Sequence, residues 1–291
     1  MKLFTCLLGH TRNKEGICTR CGRPAQTTLD KKNALIKQLK SASAWEQRRN
    51  AAQALADYPY AGTVAALVSS LQKDSEWVVR FSCAEALGKI GDVAAVKPLI
   101  AALEDKESSV VAYSARALGI IGDERAIEPL IRHLDRRNRR YGDDYLPIEA
   151  SYEALGRFGE RVTRRLLECL HDSAVYGEAI RALALTGDRA AVPALIACAR
   201  DTNQETQYRV DAVKGLGRTD CPASRDALLD LLDSIGNFAL VEAVVDTLGI
   251  PRTHLRTREE VRGGLIGADL DRKCGSSFLS ARSVKSSCVW I

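Results

Sequence analysis

Apolar and polar positions follow the same order in two neighbouring stretches of the chain, 31 residues apart. The first copy has a helical apolar pattern over 77–90, a glycine and an aspartate at 91–92, and a second helical pattern over 95–103. The second copy repeats these residue classes from Ala115 to Leu134. Each copy predicts two antiparallel helices joined by a short turn. A fixed period of this length indicates a solenoid, in which helical hairpins stack on one another.

Weaker copies extend the pattern in both directions. We place units at about 41–73, 74–104, 105–135, 172–201 and 202–234, with a fourth unit after a six-residue insertion near 135–145 and a seventh beginning at Phe238. The predicted fold is therefore all-α, a solenoid of about seven helical hairpins over 41–250. Residues 27–40 are interpreted as a linker and an N-terminal capping helix. The basic, serine-rich stretch 251–291 lacks a helical or strand period and is expected to be disordered.

Small and polar residues at fixed positions suggest how each hairpin is built. Alanines such as Ala84 and Ala86 are expected to let the two helices of one hairpin approach closely. Gly88 and Gly119 each follow the last seam leucine of a hairpin's first helix, where a helix often ends in a left-handed residue that glycine adopts without strain. Asp92, Asp123 and Asp188 are predicted to cap the second helices. Three arginines share one phase and are expected to pair with acidic groups of neighbouring units: Arg48, Arg80 and Arg209.

Composition and charge narrow the functional classes only slightly. Apolar residues make up 46% of the chain and aromatic residues 5%, and the net charge is +5. This mild basic excess permits nucleic-acid binding without demanding it. The nine cysteines are an odd number and no secretion signal is recognisable, so we expect a reducing, cytoplasmic compartment. No apolar run approaches the roughly 20 residues that span a bilayer, which predicts no membrane segment.

The first 26 residues do not share the repeat pattern and contain four candidate metal ligands. Cys6, His10, Cys18 and Cys21 have the spacing C-x3-H-x7-C-x2-C. Structural zinc takes four Cys or His ligands in a tetrahedron, and a C-x2-C turn places two thiolates on one side of the ion. We therefore predict a zinc-binding module over 1–26, which would be unfolded without its metal because it is too short to bury a core. The alternative is a leader with incidental cysteines.

The insertion before the fourth unit carries the densest basic cluster. It contains four arginines, Arg136, Arg137, Arg139 and Arg140, and two tyrosines, Tyr141 and Tyr145. Insertions in solenoids map to loops on one edge, often the edge that binds partners. The cluster therefore suggests an anion-binding edge for an acidic protein, a phosphate group or nucleic acid. A solvated loop is the simpler interpretation, because runs of like charge are usually exposed.

The motif V-R-x3-A-x-A-L-G-x-I-G-D-x2-A-V-x-P-L-I-x2-L, over 79–103, resembles the HEAT-like repeats of the phycobilisome-lyase type. The resemblance covers about 41–250 and implies a right-handed superhelix of antiparallel helix pairs. It implies two functions, an adaptor or scaffold that binds a protein on the concave face, and a bilin-lyase-like chromophore-attachment or chaperone role. Deoxyhypusine hydroxylases have a similar fold but carry iron on His-Glu pairs, which this chain lacks. No catalytic residue is assigned, and the scaffold function is the prediction, with nucleic-acid binding through the Arg136–Arg140 edge as a further alternative.

Overall fold

The structure is a computed structural model that describes residues 26–135, 142, 144–219, 221–234 and 238–249. In these residues the α-helices are α1 (Gln26–Ser41), α2 (Trp45–Leu55), α3 (Ala61–Lys73), α4 (Trp77–Ile90), α5 (Val96–Ala102), α6 (Ser108–Ile121), α7 (Ile127–Arg132), α8 (Leu146–Gly156), α9 (Glu160–Cys169), α10 (Tyr176–Thr186), α11 (Val192–Arg200), α12 (Thr206–Arg218), α13 (Pro222–Ser234) and α14 (Phe238–Leu248). No strand occurs in the described ranges. The all-helical class predicted from the sequence is confirmed.

The chain forms two compact units, the first ending at Arg157 and the second beginning at Phe158. In the first unit α3 packs on α4, α5 on α6 and α7 on α8, while α1 packs on both α2 and α3. The first helices of successive hairpins also pack side by side, α2 on α4, α4 on α6 and α6 on α8. In the second unit α10, α12 and α14 form the corresponding row, with α9 beside α10 and with α11 and α13 behind.

Leucines at one phase of the repeat fill the seams of this stack. Leu55, Leu87, Leu118 and Leu155 have no solvent exposure, and neither does Leu183 in the second unit. Complete burial of such a side chain contributes about 1.5–3 kcal/mol. The regular phase of these leucines is the reason that the repeat was visible in the sequence.

The turns inside the hairpins follow the predicted aspartate caps. The side chains of Asp92, Asp123 and Asp188 each accept a hydrogen bond from the amide two residues later, at 2.8–3.0 Å. Each aspartate begins a single 3-10 turn that leads directly into the second helix. The capping interpretation of these carboxylates is confirmed, since their oxygens satisfy backbone amides that a helix start leaves open.

The prediction that Gly88 and Gly119 end their helices is wrong. α4 continues to Ile90 and α6 to Ile121, and the left-handed residues are Gly91 and Gly122, with φ of 72° and 70°. Two glycines three residues apart are both near the end of the helix, and only the backbone conformation distinguishes them.

Gly88 and Gly119 are needed instead for contact between neighbouring helical hairpins of the first unit. A Cβ at Gly88 would lie 2.9 Å from the Cα of Ala117, and a Cβ at Gly119 would lie 2.7 Å from the Cα of Ala154. Such separations are too short for a carbon atom, so α4, α6 and α8 approach each other as closely as they do because these positions lack a side chain. Ala117 and Ala154 therefore lie in the contact between successive first helices, together with Gly88 and Gly119. For Ala117 the sequence had predicted a contact within one hairpin.

The second unit has the same glycine–alanine contact between first helices, but the glycine lies on the later helix and the alanine on the earlier one. Here Gly215 on α12 faces Ala184 on α10, and its Cβ would lie 2.6 Å from the Cα of that alanine. In the first unit the glycine directly follows the seam leucine of its own helix. The alanine that it faces directly precedes the seam leucine of the neighbouring helix. Between α10 and α12 the alanine follows Leu183 and the glycine precedes Leu216. One glycine per contact is sufficient, and either helix can supply it.

Candidate functional site

Most of the site residues predicted from the sequence lie outside the described residues. This holds for the metal ligands Cys6, His10, Cys18 and Cys21 and for Arg136, Arg137, Arg139, Arg140 and Tyr141. Tyr145 is described and lies half-buried directly before α8. Within the described part no group of three His, Cys, Asp or Glu side chains is arranged to hold a metal ion. No described helix has the length and apolar character needed to cross a bilayer.

The predicted arginine ladder is present in the first unit. Arg48 forms a two-pronged pair with Asp74, with an Nε to Oδ2 distance of 2.7 Å, and Arg80 forms the same pair with Asp105 at 2.8 Å. Arg80 also donates to the backbone oxygens of Asp74 and Ser75. Each arginine thus joins the loop before its own helix to the loop after its hairpin. The ladder therefore ties each helical hairpin of the first unit to the next one, as predicted.

The carboxylates of this ladder are held in their ionised form. Burial alone would raise the pKa of Asp74, but hydrogen bonds from the Arg48 guanidinium and a backbone amide outweigh it, so the pKa lies below its ordinary value. Asp105 has the same balance, with burial opposed by Arg80, and its pKa is lowered as well. At neutral pH the ladder therefore keeps its full charge.

Arg209 in the second unit differs from the other two ladder arginines. Its Nε donates to the backbone oxygen of Ala199 at 3.1 Å, so it reaches back to the preceding hairpin. A buried polar network that the sequence did not suggest joins α10 to α12. Glu178 is completely buried, and the Tyr208 hydroxyl donates to it at 3.2 Å. Arg181 bridges Glu178 and Asp211, at 3.3 Å and 3.0 Å.

Aromatic side chains form a continuous row across α4 and α6. The ring of Trp77 lies 5.8 Å from that of Phe81, which lies 4.9 Å from that of Tyr113. Trp77 is 41% exposed. The guanidinium of Arg116 lies 5.8 Å from the Tyr113 ring. We call these four side chains the aromatic row.

The same arrangement begins again on α2. Trp45 stands at the repeat position of Trp77, and Arg49 lies 5.6 Å from the Trp45 ring, in the position that Phe81 occupies on α4. The equivalent phases of the two tryptophans could be seen in the sequence. The contact of Phe81 with Tyr113 could not, because it depends on how closely α4 and α6 approach.

A polar pocket of about 490 Å³ lies in the first unit, where the ends of α1 and α3 meet the loop before α4. Its wall contains the Arg48–Asp74 pair, two lysines and four serines, which are Lys40, Ser41, Ser69, Ser70, Lys73 and Ser75. Nothing in the sequence predicted this pocket, because its residues come from three separate segments.

A groove of similar volume in the second unit lies between α9 and the turn that leads into α11. Leu167 lines it together with charged residues of both signs, among them Glu160 and Arg164. Arg164 pairs with Glu168 at 3.6 Å, and the Asp188 carboxylate caps the turn. The Arg164–Glu168 pair thus places opposite charges side by side in the wall of the groove.

Three thiols are buried in the helical seams, at Cys83, Cys169 and Cys198. Burial raises the pKa of the Cys83 thiol far above its ordinary value and that of Cys198 to about 11. The Cys83 and Cys198 thiols are therefore protonated at neutral pH and weakly nucleophilic. Cys221 behaves differently because it lies directly before α13, where the hydroxyl and the amide of Ser224 hold its pKa below the ordinary value.

The stacked hairpins, aspartate caps and arginine ladder define an α-helical repeat protein. The family model of HEAT repeats matches residues 33–117 and 163–234, more than half of the chain. The chain therefore belongs to the HEAT-repeat family. The model of the PBS lyase HEAT-like repeat matches residues 110–136. No curated protein sequence matches the chain.

Several solved structures are similar to the chain. The complex of CpcE and CpcF of phycocyanin lyase from Nostoc is 21% identical, with 89% of this chain and 99% of that chain covered and a TM-score of 0.46. Human deoxyhypusine hydroxylase is 20% identical, with coverage of 77% and 97% and a TM-score of 0.34. Importin beta is 16% identical, with coverage of 84% and 41% and a TM-score of 0.46. Similarity at this level does not transfer a ligand or an activity to this chain.

Proposed function

We propose that the protein is a HEAT-repeat scaffold that binds a protein partner, a function that requires no catalysis. The observation that carries this proposal is the aromatic row. Tryptophan, tyrosine and arginine are the residue types enriched at the energetic centres of protein interfaces. Trp77 leaves 41% of its surface to solvent although it has Phe81 beside it. A partner that covers this ring would remove apolar surface from water without rearranging the core.

The regions predicted from the sequence remain part of this proposal. The concave face is kept as the main expected contact region. The edge formed by Arg136, Arg137, Arg139 and Arg140, with Tyr141 and Tyr145, is kept as a second one. Zinc bound by the four Cys and His ligands of residues 1–26 is kept as a structural element, and a cytoplasmic location as the compartment.

The test is affinity capture with the full chain as bait in native lysate, with and without nuclease treatment. A Trp77→Ala bait is run beside it, with Val93→Ala as the matched control, because Val93 is 52% exposed and lies outside the aromatic row. We expect a defined protein that survives nuclease, binds the wild-type and Val93→Ala baits, and is at least tenfold depleted on Trp77→Ala. A hot-spot tryptophan contributes about 2 kcal/mol or more, which corresponds to this depletion.

Three outcomes would overturn the proposal. Equal capture on the Trp77→Ala bait would remove the aromatic row from the interface. Loss of every partner with nuclease would favour the nucleic-acid alternative. A coeluting chromophore with visible absorbance would favour the bilin-lyase-like alternative.

A further inference from the structure

The polar pocket of the first unit has an unbalanced charge. Asp74 is the only carboxylate in its wall, and both of its oxygens are taken by Arg48. The remaining Arg48 nitrogen, Nη1, donates to the backbone oxygens of Ala42 and Ser43. This pair is therefore neutral and fixed. The positive charges of Lys40 and Lys73 are not neutralised by this pair, and neither ammonium group forms an ion pair with a residue in the described part of the chain.

Hydroxyl groups accompany the two ammonium groups. Ser69, Ser70 and Ser75 line the pocket, and none of these three hydroxyls is hydrogen-bonded to another described residue. The Ser70 side chain is only 8% exposed, but its hydroxyl group is not one of the buried unpaired hydroxyls and therefore reaches solvent at the pocket. A bound acceptor could replace water as the partner of this hydroxyl.

We infer that this pocket binds a phosphate monoester. Two ammonium groups with several neutral donors and no open carboxylate favour an acceptor with two negative charges and several oxygens. The pocket is open to solvent on one side, so the group that carries the phosphate can extend out of it. This inference is independent of the aromatic row and of the proposed scaffold function.

A simpler role exists for both lysines. Each lies in the last turn of its helix, Lys40 in α1 and Lys73 in α3, where a cation interacts favourably with the helix dipole. That role affects stability alone and predicts no saturable binding of an anion. A binding measurement therefore separates the two roles.

The experiment is a titration of the isotope-labelled full chain with inorganic phosphate at constant ionic strength, followed through the backbone amides of Ser69, Ser70 and Ser75. We expect saturable shifts at these amides. Lys40→Gln/Lys73→Gln should weaken binding about tenfold and Lys73→Gln alone about threefold, because charge-assisted hydrogen bonds are lost. The control is Lys97→Gln, an exposed lysine of α5 outside the pocket, which should stay within about twofold of the wild type.

Two further titrations identify the source of the phosphate. Tighter binding of N-acetyl-phosphoserine amide than of inorganic phosphate points to a phosphorylated protein, and tighter binding of AMP points to a nucleotide. Either result supports the site. Shifts that rise linearly without saturation, or equal binding by the Lys97→Gln and Lys40→Gln/Lys73→Gln variants, would overturn it. The unchanged amide spectrum outside the pocket verifies that the variants are folded.

Discussion

The contact between successive first helices makes a sharp prediction about glycine-to-alanine substitutions. Gly119 lies inside α6, where alanine is intrinsically favoured over glycine by about 1 kcal/mol. The added Cβ would, however, lie 2.7 Å from the Cα and 3.2 Å from the backbone oxygen of Ala154. Backbone atoms cannot rotate away, so α8 has to move as a whole. Overpacking of this kind costs about 1–3 kcal/mol.

The matched control is Gly62, which lies in the first turn of α3 and has no atom within 4 Å of the Cβ that alanine would add there. We expect Gly62→Ala to stabilise the protein by about 0.5 kcal/mol, since the substitution restricts the unfolded chain and adds no clash. Gly119→Ala receives the same chemical change and should destabilise it by about 1–2 kcal/mol once the helix propensity is subtracted from the upper range of the packing cost.

Urea unfolding followed by far-UV circular dichroism measures both variants. With a slope of about 1–3 kcal/mol per molar urea, the midpoints of the two variants should differ by about 1 M. The midpoint of Gly119→Ala should lie below that of the wild type and the midpoint of Gly62→Ala slightly above it. A Gly119→Ala protein as stable as the wild type would refute the reasoning, because it would mean that α6 and α8 separate without cost.

Three other predictions follow from the ladder, the thiols and the N-terminal cysteines. Asp105→Asn leaves Arg80 largely buried without its partner and should cost about 2 kcal/mol at neutral pH. This loss should fade as the pH falls below 3.8 towards the lowered pKa of the folded carboxyl, because the wild-type pair is then lost too; urea midpoints against pH test both points. Iodoacetamide followed by peptide mass spectrometry should modify Cys221 before Cys83 in the folded protein. One zinc per chain by elemental analysis, abolished by Cys18→Ser, would support the zinc module.

The sequence predicted the features that repeat and missed those that depend on distance. Leu87 and Leu118 mark the period because each helical hairpin needs a buried leucine at this position of its seam. The pairing of Arg80 with an acidic group of the next unit was predictable for the same reason. The position of Gly88 was misinterpreted, since a glycine near a helix end satisfies both a cap and a close contact, and only the distance to Ala117 decides.

The candidate sites were harder to predict for a related reason. The equivalent phases of Trp45 and Trp77 were visible, but the row that Trp77 forms with Tyr113 depends on the separation of α4 and α6. The pocket depends on the meeting of Lys40 and Lys73, which belong to different helices and follow no repeat position. A pattern along the chain specifies which face a residue takes, whereas a site requires residues from several faces to converge.

The close contact of α4 with α6 also explains how a repeat fold supports the proposed function. Gly88 and Ala117 hold these two helices at a separation that leaves no room for adjustment. Phe81 and Tyr113 lie on the same two helices, so their rings meet in the free protein and need no ordering when a partner arrives. Binding then costs less conformational entropy than it would on a mobile loop. The small residues that build the stack thus preorganise the surface that we propose the partner contacts.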